Sequence, residues 1–231
     1  MWFGDGYRST LVRVDTAAVA DSVPPQVVGI PDAAAIRIGT TGDTLPTGAG
    51  AGNPKFAPSG TSLAFTRARG GDMNNGNAIY VVRDGAVRDV AAEMARNIGG
   101  YAWLPGGRSF VLTGALGARS VMWMKPDDGS ARLLDLGHVQ PLGAVTVSDS
   151  GALAFVGTTP GQVGQLYYMA SANSQPKQLT HFNAFLDSLH LGRVDTVAWN
   201  GPDGFPEDGV LTYPPDYAMG AKVPLILYVH G

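Results

Sequence analysis

Three observations predict a mainly β chain folded as part of a β-propeller. Short apolar strands recur in pairs with a period of roughly 45 residues, as four-stranded blades do. Turn-forming residues punctuate the gaps between them, with 32 Gly and 16 Pro in 231 residues. Sustained helical periodicity is sparse, with Val90–Arg96 and Ala184–Leu189 reading only as short helical turns.

The repeat is read from strand pairs. Ser62–Phe65 is followed by Ala78–Val82, Ser109–Leu112 by Val121–Met124, and Ala152–Phe155 by Gln165–Tyr168. A turn precedes each first strand: Ala57–Gly60, Leu104–Gly107 and Ser148–Gly151. The turn glycines Gly60, Gly107 and Gly151 lie 47 and 44 residues apart. Trp2-Phe3 reads as a strand end, Gly4–Gly6 as a turn and Thr10–Asp15 as the next strand, so the chain opens inside a blade. Between Thr16 and Asn53, prolines and the run Gly48–Gly52 predict loops around one or two short strands, Ile36–Ile38 among them. The count is about three and a half four-stranded blades. A propeller closes with 4–8 blades, so three and a part leave a blade face open, and poor solubility or self-association of the chain alone is expected.

Composition bounds the function. With 45% hydrophobic and 15% charged residues the chain can bury a core. A net charge of −3 without a basic run argues against nucleic acid or an anionic membrane as partner. Without Cys, disulfides, thiol catalysis and cysteine metal sites are excluded. No apolar run approaches the roughly 18 residues of a membrane span. The first residues lack the basic and apolar regions of a signal peptide, which leaves a cytoplasmic or a periplasmic or secreted location open.

The last stretch, Arg193–Gly231, departs from the repeat. Val194–Trp199 and Val210–Tyr213 flank a segment holding Gly201, Pro202, Asp203, Gly204 and Pro206, which predicts two strands around a turn. A Pro-rich loop follows, and Leu225–Val229, bounded by Pro224 and His230-Gly231, predicts a buried strand.

This stretch resembles the domain junction of the prolyl oligopeptidase family of serine peptidases, which includes dipeptidyl and acylaminoacyl peptidases. The matching residues are Val197–Trp199, Asp203-Gly204, Gly209–Leu211, Tyr213–Pro215 and Pro224–Gly231, with Gln178–Thr180 and Asn183 just upstream. The resemblance covers about 50 residues. It implies a propeller over residues 1–190 and, over 191–231, the opening strands of an α/β-hydrolase domain. It further implies hydrolysis of peptide bonds in short peptides, with the propeller limiting access to the active site, no cofactor, and a possible homo-oligomer.

Within that resemblance His230 and Gly231 are the candidates for the neighbourhood of an oxyanion loop. In some branches a Tyr hydroxyl stands where His230 does, so here backbone N–H donors would carry more of the stabilisation. The family's catalytic Ser, Asp and His lie downstream of the His-Gly strand, and no Gly-x-Ser-x-Gly occurs in the chain. The chain on its own is therefore expected to be inactive. Asp149-Ser150-Gly151 reads as a blade turn.

Other patterns read as structure. His138, His181, His190 and His230 show no metal-ligand spacing. Asp72–Asn77 fails as a calcium loop, with Gly76 at the fifth place and Arg83 at the twelfth, and Asn75-Gly76 reads as a hairpin tip. Gly48–Gly52 lacks the Lys-Ser/Thr ending of a phosphate loop. Trp103, Trp123, Tyr167 and Tyr168 are assigned to blade packing, and Asp203, Glu207 and Asp208 to a hairpin loop. The alternative is a non-catalytic propeller acting as a binding module, with a vestigial extension. A different α/β-hydrolase, such as an esterase, would share the His-Gly strand but leave the blades unexplained.

Overall fold

The computed structural model describes residues 12–13, 26–27, 51–71, 75–84 and 86–229. Strands β1 (Val12–Arg13) and β2 (Gln26–Val27) form a two-stranded antiparallel ladder. Three four-stranded antiparallel sheets follow, each a meander from consecutive segments. Blade 1 holds β3 (Gly52–Phe56), β4 (Ser62–Ala68), β5 (Asn77–Arg83) and β6 (Ala86–Asp89). Blade 2 holds β7 (Ile98–Trp103), β8 (Ser109–Leu116), β9 (Arg119–Pro126) and β10 (Arg132–Leu133). Blade 3 holds β11 (Gln140–Val147), β12 (Leu153–Thr159), β13 (Gln162–Met169) and β14 (Lys177–Gln178). The mainly β, propeller-type architecture is thus as expected.

The predicted turns are one motif used three times. The amides of Ala57, Leu104 and Ser148 bond to Ser62 O, Ser109 O and Ala152 O, each at 2.8 Å. Three residues into each turn stand Gly60, Gly107 and Gly151, with φ of 72°, 64° and 85°. A Cβ is disfavoured there, so glycine marks the turn in the sequence. The short helical segments are single 3-10 turns, Ala92–Met94 and Ala184–Ser188. The hairpin between β4 and β5 has a longer tip than Asn75-Gly76. Gly76 sits at its base, where its carbonyl accepts from the Arg69 amide at 3.1 Å.

Each blade has two unlike faces, and blades stack near face on far face. The near face carries an apolar pair across strands two and three: Phe65–Tyr80, Leu112–Trp123 and Phe155–Tyr167. Phe65–Tyr80 and Phe155–Tyr167 stack almost identically, centroids 5.7 Å apart at 18° and 19°. The far face of blade 1 (Ala64, Ile79, Val81, Val90) buries against Tyr101, Phe110, Leu112 and Trp123 of blade 2. The far face of blade 2 (Val111, Met122, Leu134) buries against Leu153, Phe155, Tyr167 and Met169 of blade 3. Each fully buried side chain of this size contributes roughly 1.5–3 kcal/mol. Trp103, Trp123 and Tyr167 are inter-blade packing residues as expected, but Tyr168 is not. It lies on the far face of blade 3 and is exposed, because β13 alternates and no described sheet covers that face.

Polar side chains stitch blade 1 to blade 2. Tyr101 Oη lies 2.6 Å from Asn53 O and 2.8 Å from Ala64 O, and donates to one of them at a time. Trp103 Nε1 donates to Lys55 O at 3.0 Å, and Lys55 Nζ to Tyr101 O at 3.0 Å. At the rim the buried Asp127 carboxylate takes both Arg83 and Arg88.

Beyond blade 3, β15 (Val194–Asn200) and β16 (Pro206–Thr212) pair over all seven residues. Their turn closes through Gly201 N to Phe205 O at 2.8 Å. Glu207 and Asp208, assigned from sequence to the hairpin loop, stand instead in β16. Leu225–Val229 departs from the expected buried strand. It forms no ladder among the described residues, and its side chains are 76–90% exposed. A strand exists only through its neighbour, and none of the described residues supplies one.

Candidate functional site

Chain direction sorts the loops onto two sides. One side collects the glycine turns at 57–61, 104–108 and 148–152. The other collects the crossovers 90–97 and 134–139, the tips at 117–118 and 160–161, and the starts of the inner strands. Each inner strand bulges near that start, between Gly52 and Lys55, Ile98 and Gly100, and Pro141 and Val145. A bulge twists the strand and re-aims its side chains. Asn53 at φ 51° and Gly143 at φ 88° accommodate two of the three.

The β15–β16 hairpin emerges on this crossover side. Gln165 guides it there: its Nε2 donates to Phe182 O at 2.7 Å, and its Oε1 accepts from Phe182 N and Thr180 Oγ1, both at 2.9 Å. Asp208 Oδ2 then accepts from Ala118 N at 2.9 Å, tying the hairpin to the tip between β8 and β9. Arg193 pairs with Asp195 at 3.0 Å and lies over the Tyr213 ring at 4.3 Å. Trp199 Nε1 donates to Glu207 across the hairpin, and Asp203 caps its turn through Phe205 N.

Between hairpin and blades lies a cleft of about 480 Å³. Its floor is Val121, Leu134 and Leu136, all buried. Arg119, Ser120, His138, Gln140 and Thr196 line its polar rim, with Asp135 opposite. Asp135 accepts from Gly137 N at 3.0 Å and Gln175 Nε2 at 2.7 Å, and these donors hold its carboxyl below its usual value. An apolar floor with a few convergent polar groups suits a small ligand.

His230 and Gly231 lie outside the described residues, as do Trp2–Gly6, Ile36–Ile38 and Asp72–Asn74. The loop that leaves β16 turns back to His190, through Asp216, with the Tyr217 ring 5.0 Å from that of Tyr213. His190 Nε2 stands 3.3 Å from Asp216 Oδ1, and His181 Nε2 3.7 Å from Asp187 Oδ2, all well exposed. Among the described residues no serine hydroxyl bonds either imidazole, and no group of three metal-ligating side chains gathers. Asp149-Ser150-Gly151 is an exposed turn on the far side, its Ser150 hydroxyl 2.9 Å from that of Ser148.

One regularity escaped the sequence reading. Arg88, Arg132 and Lys177 occupy the same place in the outermost strands, each paired opposite the matching residue of strand three: Val81, Met124 and Tyr168. Arg88 reaches Asp127 and Asp128 of blade 2, and Arg132 Nη2 donates to Asn173 of blade 3 at 2.7 Å. Their spacing, 44 and then 45 residues, is the repeat period and could have exposed them.

No family model and no curated protein matches the sequence. Solved structures do match. The AtxE2 isopeptidase aligns with a TM-score of 0.53 at 16% identity, covering 71% of this chain and 26% of its own. The Pyrococcus horikoshii acylaminoacyl peptidase aligns at 0.52 and 15% identity, covering 65% and 23%. A protein assigned as TolB from Agrobacterium tumefaciens aligns at 0.50 and 18% identity, covering 91% and 65%. The chain spans about a quarter of the length of the two peptidases. At these identities the likeness is one of fold: three consecutive blades of a propeller of the kind found in peptidases and in TolB-like proteins.

Proposed function

We propose that this chain is the propeller side of a serine peptidase of the prolyl oligopeptidase type, dividing near residue 190. Its catalytic residues belong to a following α/β-hydrolase domain, whose first strands are β15, β16 and the run at 225–229. The observation that carries this reading is the junction. A fully paired hairpin is anchored on the crossover side by Asp208 and leads to an exposed apolar run ending in His230-Gly231. An apolar run of five residues standing free is what the core strand of an incomplete sheet looks like. The peptidase architecture of two fold neighbours supports the same reading. The substrates are short peptides, admitted past the inner strands and the crossover side. Peptide-bond cleavage would proceed through a serine acyl-enzyme, with backbone N–H groups near His230 and Gly231 lining the oxyanion site.

The test is an assay of the polypeptide encoded by the whole reading frame, with chain 1–231 beside it. Short chromogenic peptides are turned over by the former, and a serine-directed fluorophosphonate abolishes the turnover. Chain 1–231 stays at blank. Fluorophosphonate-sensitive turnover by chain 1–231, or an inert whole polypeptide, would overturn the proposal.

The second reading is a non-catalytic propeller that binds a partner. The TolB-like neighbour favours it, since it covers 91% of this chain and the match takes up 65% of that protein. An inert whole polypeptide would move the search to binding partners.

A further inference from the structure

The two blade junctions share one polar contact and differ in what surrounds it. The Asn77 amide donates to Asn97 Oδ1 at 2.9 Å, and the Ser120 amide donates to Gln140 Oε1 at 3.1 Å. Donor and acceptor are both displaced by 43 residues, so the two contacts occupy one place in the repeat. At the first junction that place is filled. Met94, three residues before Asn97, packs on the core shared by blades 1 and 2. Gly76, next to Asn77, presses on Asn97 so closely that a Cβ there would lie 3.2 Å from Asn97 Cα. Arg69 braces the crossover through Asp89 at 2.8 Å and Ala91 O at 3.3 Å.

At the second junction the same place is hollow. Gly137, three residues before Gln140, has nothing within 4 Å of where its Cβ would stand. Where the first junction has Gly76, the second has Arg119. The hollow is the cleft of about 480 Å³ floored by Val121, Leu134 and Leu136. Its lining holds one carboxylate and one guanidinium. Asp135 already accepts a donor on each oxygen, from Gly137 N and Gln175 Nε2. Arg119 meets no acceptor among the described residues, and the hydroxyls of Ser120 and Thr196 and the side-chain N–H groups of Gln140 are equally unpaired there.

We propose that this cleft binds a small ligand made of a carboxylate on an apolar body. The carboxylate pairs with Arg119, whose planar fork of donors matches it. The apolar body covers Val121, Leu134 and Leu136, which a bare inorganic anion would leave wet. Two sources carry this chemistry, a free aliphatic carboxylic acid and the C-terminal residue of a short peptide. Ser120, Gln140 and Thr196 add hydrogen-bonding groups that only the peptide's amide can use. Thr196 lies in β15, so the bound ligand bridges the blades and the hairpin. The site needs no acyl-enzyme chemistry, and an inert whole polypeptide would leave it standing.

The test is a ligand-observed NMR titration of chain 1–231 with 4-methylpentanoate and with acetyl-Gly-Leu, each beside its neutral carboxamide. The acids bind saturably, and the carboxamides bind about tenfold more weakly or worse. Arg119→Gln removes the preference for the acid, and Arg119→Lys restores part of it. Arg119 is exposed, so neither change moves the melting temperature. Thr196→Trp fills the cleft and abolishes binding of both acids, while Arg108→Gln, on the glycine-turn side, changes nothing. Hydrogen exchange along β15 slows when an acid is bound. Tighter binding of acetyl-Gly-Leu than of 4-methylpentanoate assigns the cleft to peptide C-termini, and equal binding assigns it to free acids. Acids that bind no better than their carboxamides, or a preference that survives Arg119→Gln, would overturn the proposal.

Discussion

Tyr101 shows how one side chain joins two blades. Its ring packs on Phe110 of its own blade at 6.1 Å, edge to face, while its hydroxyl reaches the β3 bulge and β4 of blade 1. Burial raises the phenol's pKa well above its usual value, so the hydroxyl stays a neutral donor throughout the physiological range. Tyr101→Phe keeps the ring and removes the donor. A buried carbonyl, Ala64 O or Asn53 O, then loses its hydroxyl partner, at a cost of about 1–2 kcal/mol. Urea unfolding should show a lower midpoint with an unchanged slope. A variant as stable as the parent would mean that water replaces the hydroxyl there. Residues of this kind are only half legible in sequence. Trp103, Trp123 and Tyr167 read as packing residues from their place in the repeat. Which carbonyls Tyr101 and Trp103 would seek depended on the neighbouring blade's backbone, which no local pattern records.

At the scale of the element, legibility follows backbone chemistry. The turns at Gly60, Gly107 and Gly151 were readable because a left-handed residue there leaves glycine as the low-cost choice. The β15–β16 pair was readable from its flanking strands, and its register confirms both. Leu225–Val229 was legible as apolar but not as exposed, since burial depends on which sheet stands beside it. The inner-strand bulges left no clear mark: Asn53 closes a stretch that reads as loop, and the stretch around Gly143 was assigned no element from the sequence. Among the described residues the hairpin is seated on the β8–β9 tip by a backbone-to-carboxylate hydrogen bond, and the approach is close enough that a Cβ at Gly117 would lie 2.0 Å from Asp208 Oδ2. Asp208→Ala should therefore free the hairpin without harming the blades. Hydrogen exchange at Ala118 and along β15 should quicken several-fold while β8 and β12 are unchanged. Unchanged exchange at Ala118 would show that the tip holds the hairpin by packing alone.

Across the whole molecule the two blade interfaces are not equivalent, and they should open in order. Blade 1 is fastened to blade 2 by apolar packing, by Tyr101, Trp103 and Lys55, and by Asp127 between two arginines. Blade 3 is fastened to blade 2 by apolar packing and, among the described residues, by three polar contacts: Arg132 to Asn173, Asp135 to Gln175, and the Ser120 amide to Gln140. Stacked repeats unfold by neighbour terms, so the interface with fewer of them opens at lower free energy. Acid should widen the difference. Asp135 titrates below its usual value of 3.8, first through the Gly137 amide and then through Gln175. Its contribution is present above that usual value and is lost as pH falls through the lower folded value. Asp128, lowered by Arg88, is lost in the same way at the other interface, but Tyr101 and Trp103 do not titrate there and remain bonded. Native-state hydrogen exchange should thus show β12 and β13 opening before β4 and β5 at neutral pH. An Asp135→Ala variant should open blade 3 more readily at neutral pH, and the difference from the parent should vanish once acid has carried the parent carboxyl through its lowered value. The effect is small, because the carboxyl is exposed and screened by solvent. Simultaneous opening of all three blades, with no effect of Asp135→Ala, would mean that apolar packing alone sets the cooperativity of the stack.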